Sequence, residues 1–247
     1  MRLKKRLDAL LLERGLAATR QKAQALVMAG SVLVGDVPVE KPGKNIEETA
    51  TIRIRGERPK YVSRGALKLL AALDAFGVKC EGRIAMDIGA STGGFTQVLL
   101  ERGAGRVYAV DAGTNQLDWR LRCDPQVVVM EKTNARYLEP AQIPEKTGII
   151  TVDVSFISIA KLLPALMAFF CGDTDLVALI KPQFEVGRDR VGKGGIVRSE
   201  EHRLEAVKNL TKNAEALGLA RLGLIESPIT GMDGNKEYLA HWKLQGV

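Results

Sequence analysis

From residue 84 onward, short apolar runs alternate with longer amphipathic stretches, and this rhythm limits the fold more than any other feature of the chain. The runs fall at 84–88, 107–110, 127–130, 149–152, 176–180 and 222–225. Runs of four or five residues, rich in Val and Ile and separated by helical stretches, predict a parallel sheet with helices on both faces. A last run at 237–242 is predicted as an antiparallel strand at the sheet edge. The expected fold class is α/β, a doubly wound sheet whose parallel strands turn their carboxyl ends toward one ligand crevice.

The first sixty residues have a different texture. Leu7, Leu10 and Leu11 make a helical stripe. A second helix is predicted over 20–29, with Thr19 as its N-cap and Gly30 as its stop. The runs at 32–34 and 37–39 flank Gly35-Asp36 as a small hairpin, and 51–54 reads as a further strand. Residues 1–60 hold 13 Lys/Arg against 7 Asp/Glu, whereas 61–247 hold 23 against 22. Nearly all of the +7 formal charge therefore sits in the first quarter of the chain. That is the distribution of a phosphate-contacting surface, or of a solvated face that aids solubility. Two helices feeding a hairpin, within RLDALLLERGLAATRQKAQALVMAGSVLVGDVPV, resemble the S4 RNA-binding fold. The resemblance implies a small α+β S4-like domain at 1–60 and RNA contact by Lys4, Lys5, Arg6, Arg20 and Lys22. Residues 55–60, RGERPK, read as a linker to a second domain at 61–247.

The 46% apolar content supports a sizeable core. The longest apolar stretch, 162–171, has about ten residues and contains Pro164, whereas a membrane-crossing helix needs roughly 20; the run is expected to cover the sheet as a helix. The start, MRLKKRLDALLLERG, carries no secretory pattern. Cys80, Cys123 and Cys171 are odd in number and scattered, without metal-ligand spacing. They fit a reducing cytoplasm, and no metal is expected.

Residues 87–96 read DIGASTGGFT and join an apolar run to an apolar segment at 95–100, the strand–turn–helix layout of a nucleotide-type pocket. A P-loop would place lysine after Gly94, where this chain has Phe95. A dinucleotide fingerprint needs glycines two and then three apart, which Gly89, Gly93 and Gly94 do not provide. S-adenosylmethionine carries no phosphate and needs backbone close to its methionyl part. The cofactor candidates in the loop are Asp87, Gly89, Ala90, Ser91, Gly93, Gly94 and Phe95. Asp111 ends VYAVD, 22 residues after Gly89, and its two oxygens can accept from a ribose diol or cap the following turn. A diol-binding carboxylate serves NAD equally well, so Asp111 does not choose the ligand. Asn134, in EKTNAR, is a candidate for the adenine edge or a turn residue.

Four further polar residues stand where polar groups are otherwise awkward. Lys68 lies at the start of the helix before the first strand, Asp153 closes ITVDVSF, Lys181 closes VALIKPQFE, and Glu237 precedes the last run. In a doubly wound sheet, Asp153 and Lys181 would share the mouth that holds the glycine loop. Taken together, SRGALKL, DIGASTGGFT, VDVSFIS, IKPQFEVGRDRVGKGGIVR and GNKEYLAHW resemble the TlyA family, across essentially the whole chain. That resemblance implies an S4 domain joined to an FtsJ-like, Rossmann-like class I methyltransferase. It implies S-adenosylmethionine as cofactor, with Asp153 near it, and cytidine 2′-hydroxyls of ribosomal RNA, within assembled subunits, as acceptors. Its Lys-Asp-Lys-Glu tetrad maps onto Lys68, Asp153, Lys181 and Glu237.

A ribose 2′-hydroxyl is a poor nucleophile at neutral pH, and a lysine depressed by burial and a second cation can steer or accept its proton. Lys181 is expected closest to the 2′-oxygen, supported by Asp153, with Lys68 and Glu237 holding the hydroxyl and the lysine. The bland alternative is two ordinary salt bridges near a sheet edge. Arg188, Arg190 and Lys193, in GRDRVGKGGIVR, could close over RNA as a flap, and Arg64 is a further RNA candidate. His202 is expected on a solvated helix face and His241 in edge-strand packing. Three rival functions remain open at the level of residues: a membrane-active haemolysin-like protein, an inert RNA-binding factor, and a methyltransferase for small molecules or proteins.

Overall fold

The structure, a computed structural model, describes residues 4–35, 37–55, 60–231 and 234–245, apart from the side chain of Arg188. The chain divides into two compact units, Met1–Lys60 and Tyr61–Val247.

In the first unit, strand β1 (Lys4–Arg6) leads into helices α1 (Leu7–Glu13) and α2 (Arg20–Met28). Strands β2 (Val32–Val34), β3 (Val37–Pro38), β4 (Asn45–Glu47) and β5 (Ile52–Ile54) follow. Thr19 caps α2, its hydroxyl oxygen accepting the amide of Lys22 at 3.1 Å. β2 pairs antiparallel with β3 and with β5, and β1 pairs with β4. Leu7, Leu10 and Leu11 are buried against Ala23, Val27, Val32 and Ile52, so the leucine stripe is the core of this unit. The β1–β4 ladder was not legible in the sequence, because three-residue strands lack an alternating pattern long enough to recognise. Asp36 of the hairpin lies outside the described residues.

The second unit holds α3 (Gly65–Phe76), β6 (Ile84–Ile88), α4 (Gly94–Glu101), β7 (Arg106–Val110), α5 (Trp119–Arg122) and β8 (Val127–Met130). It continues through β9 (Thr147–Val152), α6 (Leu163–Leu166), β10 (Phe170–Ile180), α7 (Pro182–Glu185), α8 (Glu200–Glu215), β11 (Leu219–Glu226) and β12 (Tyr238–Leu244). The strands form one seven-stranded sheet in the order β11-β12-β10-β9-β6-β7-β8. β8, β7, β6, β9 and β10 run parallel, and β12 is antiparallel to both β10 and β11. The predicted edge strand is therefore an inner one. Its near-continuous burial from Tyr238 to Trp242 is the signature of a strand covered on both faces.

Alternate residues of each strand go to opposite faces. Ala85, Ile149, Val177, Leu179 and Leu239 pack under α3 and α4. Met86, Ile88, Ile150, Val152, Leu176, Ala178 and Trp242 pack under α6 and α8. The apolar run 162–171 is not one helix. Pro164 sits in the first turn of the four-residue α6, and the chain passes through a single 3₁₀ turn into β10 at Phe170, since proline tolerates only a helix start.

Candidate active site

The sheet topology explains why residues far apart in sequence meet. β6, β7, β9 and β10 end at one edge, where Gly89, Asp111, Asp153 and Lys181 follow. β12 runs the other way, so Glu237, the residue before it, reaches the same edge. Ile180 of β10 is paired with Tyr238 of β12, which puts Lys181 and Glu237 on adjoining positions. Ile88 is paired with both Val110 and Val152, which groups Gly89, Asp111 and Asp153. The order reverses between β6 and β9, the switch point where open α/β sheets take their ligands.

Gly89 has φ 85°, a left-handed conformation that glycine adopts without strain. A Cβ there would stand 2.4 Å from the carbonyl oxygen of Asp153. The glycine thus lets the loop press against the end of β9. Gly94 plays a similar part at the start of α4, where a Cβ would meet the Ser63 hydroxyl at 2.1 Å. Gly93 does not line the crevice; its missing side chain makes room for Leu117 and Leu121.

Two adjoining cavities open on this edge. One, of about 390 Å³, has Ile88, Val110, Val154, Ile157 and Leu162 among its walls, with Asp111 and Asn134 as polar groups. The other, of about 550 Å³, is lined by Lys68, Asp153, Lys181 and Glu237 together with Arg64, Ala90, Gly94 and Phe95. Gly89, Ser91, Asp153, Ser155 and Phe156 border both.

Asp111 is tied to the loop it faces: one oxygen accepts the Ser91 amide at 2.8 Å and the other the Gly113 amide at 2.6 Å. Each oxygen keeps a lone pair free, and Ser91 is held at φ 49°. The side-chain oxygen of Asn134 accepts the amide of Arg136 at 3.1 Å, capping a 3₁₀ turn. Its turn role and its place in the cavity wall are both real. An apolar-walled cavity of this size, with a carboxylate able to accept from a diol, fits a nucleoside.

The tetrad forms two ion pairs. Lys68, 8% exposed, donates to Glu237, 3% exposed. Lys181 Nζ lies 2.7 Å from Asp153 Oδ1, an ion pair whose angles fall outside those of a hydrogen bond, and donates to Ser155 Oγ at 2.9 Å. Both pairs line one cavity, and all four side chains are largely shielded from solvent, unlike ordinary surface bridges.

Asp87 is placed differently from expectation. It is 0% exposed and borders neither cavity. Thr96 donates to it at 2.7 Å and Thr151 at 3.1 Å, so it binds α4 to the sheet beneath the loop. Burial is the chief cause that pushes its carboxyl up to about 7, opposed by the two threonine bonds. An aspartate raised above its unfolded value stabilises the fold below that value and loses the contribution as pH rises through the folded one. Wild type is therefore expected to lose stability relative to Asp87→Asn between about pH 4 and pH 7, with the gap constant above that. Chemical denaturation across that range is the check, and parallel pH profiles would refute it.

Several residues of the crevice were missed by sequence reasoning. Phe156 has φ 67° and is 92% exposed, an outlier for a bulky residue that costs of order 1–3 kcal/mol and clusters at functional sites. Its ring tilts against Phe184 with centroids 5.3 Å apart. Arg136 and Lys161 border a further cleft that runs off the same two rings. VDVSFIS and IKPQFE contain Phe156 and Phe184, but no residue pattern announces a left-handed phenylalanine.

The basic candidates divide. Asp8, fully buried, accepts two bonds from Arg6 and one from Arg20, and Arg6 is the first cause holding its carboxyl far below the usual range. Lys5 pairs with Glu13 and Glu48. Lys4 and Lys22 form no ion pair among the described residues. The glycine-rich segment is tethered at its base: Asn235, buried, donates to the Gly195 carbonyl at 2.8 Å and accepts the Val197 amide at 2.9 Å. Arg190 is bonded to Glu205, Lys193 is exposed, and the side chain of Arg188 and residues 56–59 of the linker lie outside the described set. His241 is not in edge packing but buried, 2.6 Å from Asp175 and stacked on Phe76.

The fold and crevice define an FtsJ-like methyltransferase carrying an S4 domain: the FtsJ-like methyltransferase family matches residues 61–244 and the S4 domain matches residues 5–52. A relative from Mycobacterium tuberculosis, the 16S/23S rRNA (cytidine-2′-O)-methyltransferase TlyA, is 45% identical over 97% of this chain and 90% of its own length. Hemolysin A of Brachyspira hyodysenteriae is 41% identical over 96% of this chain and 99% of its own. A solved structure from Streptococcus thermophilus, titled as a candidate hemolysin, is 44% identical, covers 99% of this chain and 90% of its own, and superposes with a TM-score of 0.74. The chain belongs to the TlyA family. Among the described residues, no helix is long and apolar enough to cross a membrane.

Proposed function

We propose that this protein transfers the methyl group of S-adenosylmethionine to a ribose 2′-hydroxyl of ribosomal RNA, with cytidine as the acceptor nucleotide. The observation that carries the reading is the pair of ion pairs, Lys68–Glu237 and Lys181–Asp153, lining one cavity that joins a nucleoside-sized cavity across Asp153.

Bound S-adenosylmethionine supplies an electrophilic methyl on a sulfonium. Asp111 would accept from its ribose diol, Asn134 would meet its adenine, and the backbone around Gly89 would face its methionyl part. On the acceptor side, Lys181 is pinned by Asp153 and Ser155 with its ammonium in the cavity, where it orients the 2′-oxygen and directs its proton. Lys68, fixed by Glu237, lines the same cavity. Correct placement of two reactants alone can supply roughly 7–11 kcal/mol of a barrier, so a rigid set of four charges suits this transfer. Phe156 and Phe184 offer an aromatic shelf for a base taken out of its stack. Arg64, Arg136 and Lys161 are cations for the neighbouring phosphates, and the basic S4 unit reads RNA by shape and backbone. The relative named for cytidine-2′-O transfer to 16S and 23S RNA supports the acceptor. Three free cysteines and a ribosomal acceptor suit the cytoplasm.

The test is transfer of labelled methyl to ribosomal subunits from cells lacking this protein, followed by alkaline digestion. Label is expected in an alkali-resistant dinucleotide, since a 2′-O-methyl blocks cleavage at its own phosphate. No label on either subunit or on free RNA, despite cofactor binding, would overturn the reading.

A further inference from the structure

The two loops that carry the acceptor side of the crevice leave neighbouring strands. One runs from Asp153 through Phe156 to the 3₁₀ turn at Ile159–Lys161; the other is Lys181 with α7. Three sets of contacts tie them together, in order along the chain from the strand ends. Lys181 engages Asp153 and Ser155. Phe184 meets Phe156. Farthest along the chain, Glu185 takes two bonds, one oxygen accepting the Ile159 amide at 2.8 Å and the other the Ser158 hydroxyl at 2.6 Å.

Glu185 differs from the other members of this series. It borders none of the three cavities described above. Yet it is a partly buried carboxylate spending both oxygens on the far end of the loop that holds Phe156 in a left-handed conformation. A strained backbone of this kind persists only when its surroundings over-determine it. The near end of the loop is fixed by β9; the Glu185 bonds fix the far end.

We propose that Glu185 is a positioning residue for methyl transfer: it clasps the 153–161 loop to α7 and thereby holds Phe156 on its shelf and Ser155 on Lys181. The proposal rests on the functional reading above. Burial raises the carboxyl of Glu185 from its ordinary value, but the clasp needs no particular charge. When Glu185 is protonated, its hydroxyl donates to Ser158 Oγ while the carbonyl oxygen still accepts the Ile159 amide. Glutamine can copy that arrangement, with its Nε2 donating to Ser158 Oγ and its Oε1 accepting from Ile159. Alanine cannot.

The experiment compares full-length wild type with Glu185→Ala, Glu185→Gln and Ser158→Ala. Amide hydrogen exchange over 153–161, without cofactor, is expected to quicken at least tenfold in Glu185→Ala and to stay near wild type in Glu185→Gln. Single-turnover transfer to ribosomal subunits, expressed per cofactor-binding site and run below the melting range, is expected to slow at least tenfold in Glu185→Ala. Ser158→Ala, which keeps the bond to the Ile159 amide, should be about threefold slower. It carries the test if Glu185→Ala does not fold. A residue serving the fold alone would lower the melting temperature and leave the rate per site unchanged. Folded Glu185→Ala with a wild-type rate, or Glu185→Gln as slow as alanine, would overturn the proposal. If wild type itself transfers no methyl to RNA, the exchange comparison decides: faster exchange supports the clasp although the functional reading fails, and unchanged exchange rejects it.

Discussion

Lys181→Ala is expected to lower methyl transfer at least 10³-fold while leaving the fold intact. The magnitude follows from two contributions. A positioned proton-transfer group is worth 10²–10⁴-fold, and loss of the ammonium also removes the charge that fixes Asp153 and Ser155 at the junction of the two cavities. A thousandfold loss corresponds to about 4 kcal/mol of transition-state stabilisation. Lys181→Arg is expected to fail nearly as badly, because a planar fork cannot occupy the place of a compact ammonium. The discriminating measurement is single-turnover transfer with saturating RNA and cofactor, beside the dissociation constant for cofactor alone. Loss in the chemical step with affinity within a few-fold of wild type is the expected pattern. A variant that retains transfer within threefold would remove Lys181 from the reaction.

Glu237→Ala is expected to produce the largest loss of stability among the site variants. It strands the ammonium of Lys68, 8% exposed, whose ion pair among the described residues is with Glu237. Breaking a buried pair from one side typically costs about 3–5 kcal/mol, whereas replacing both partners by apolar groups of similar volume is often neutral or stabilising. In a domain of this size each kcal/mol shifts the melting temperature by roughly 2–4 °C. Glu237→Ala should therefore melt roughly 10 °C lower, and Lys68→Met/Glu237→Leu should recover most of that loss. The double variant should nevertheless remain inactive. Thermal melts of the three proteins, read beside their transfer rates, test both halves. Equal melting of Glu237→Ala and wild type would mean that the pair is solvated. Activity in the stable double variant would mean that it is structural.

Much of this protein could be read along the chain because its signals are local and periodic. The strands at 84–88 and 127–130 match their predicted bounds, since strands of a parallel sheet read as short, mostly apolar runs. Thr19 caps α2 because a hydroxyl at that position satisfies an orphan amide. Asp153, Lys181 and Glu237 were conspicuous for being polar at strand ends. The inner position of β12 was not legible: alternation reports which faces of a strand are covered, and says nothing about which neighbours flank it. Nor was the burial of Asp87, whose place beneath the loop depends on Thr96 and Thr151 from two other elements.

By itself, then, the sequence determined the α/β class, the S4-like start, the glycine loop and the four charged residues, because each is written in short-range pattern or in residue type. Only the tertiary structure decided who partners whom: Lys68 with Glu237 across 169 positions of chain, Lys181 with Asp153 and Ser155, Arg6 with Asp8, Glu185 with the Phe156 loop. Pairing of this kind is set by strand order and register. A crossover topology brings the ends of separate strands to one edge, and no local preference of the chain encodes which ends will meet there.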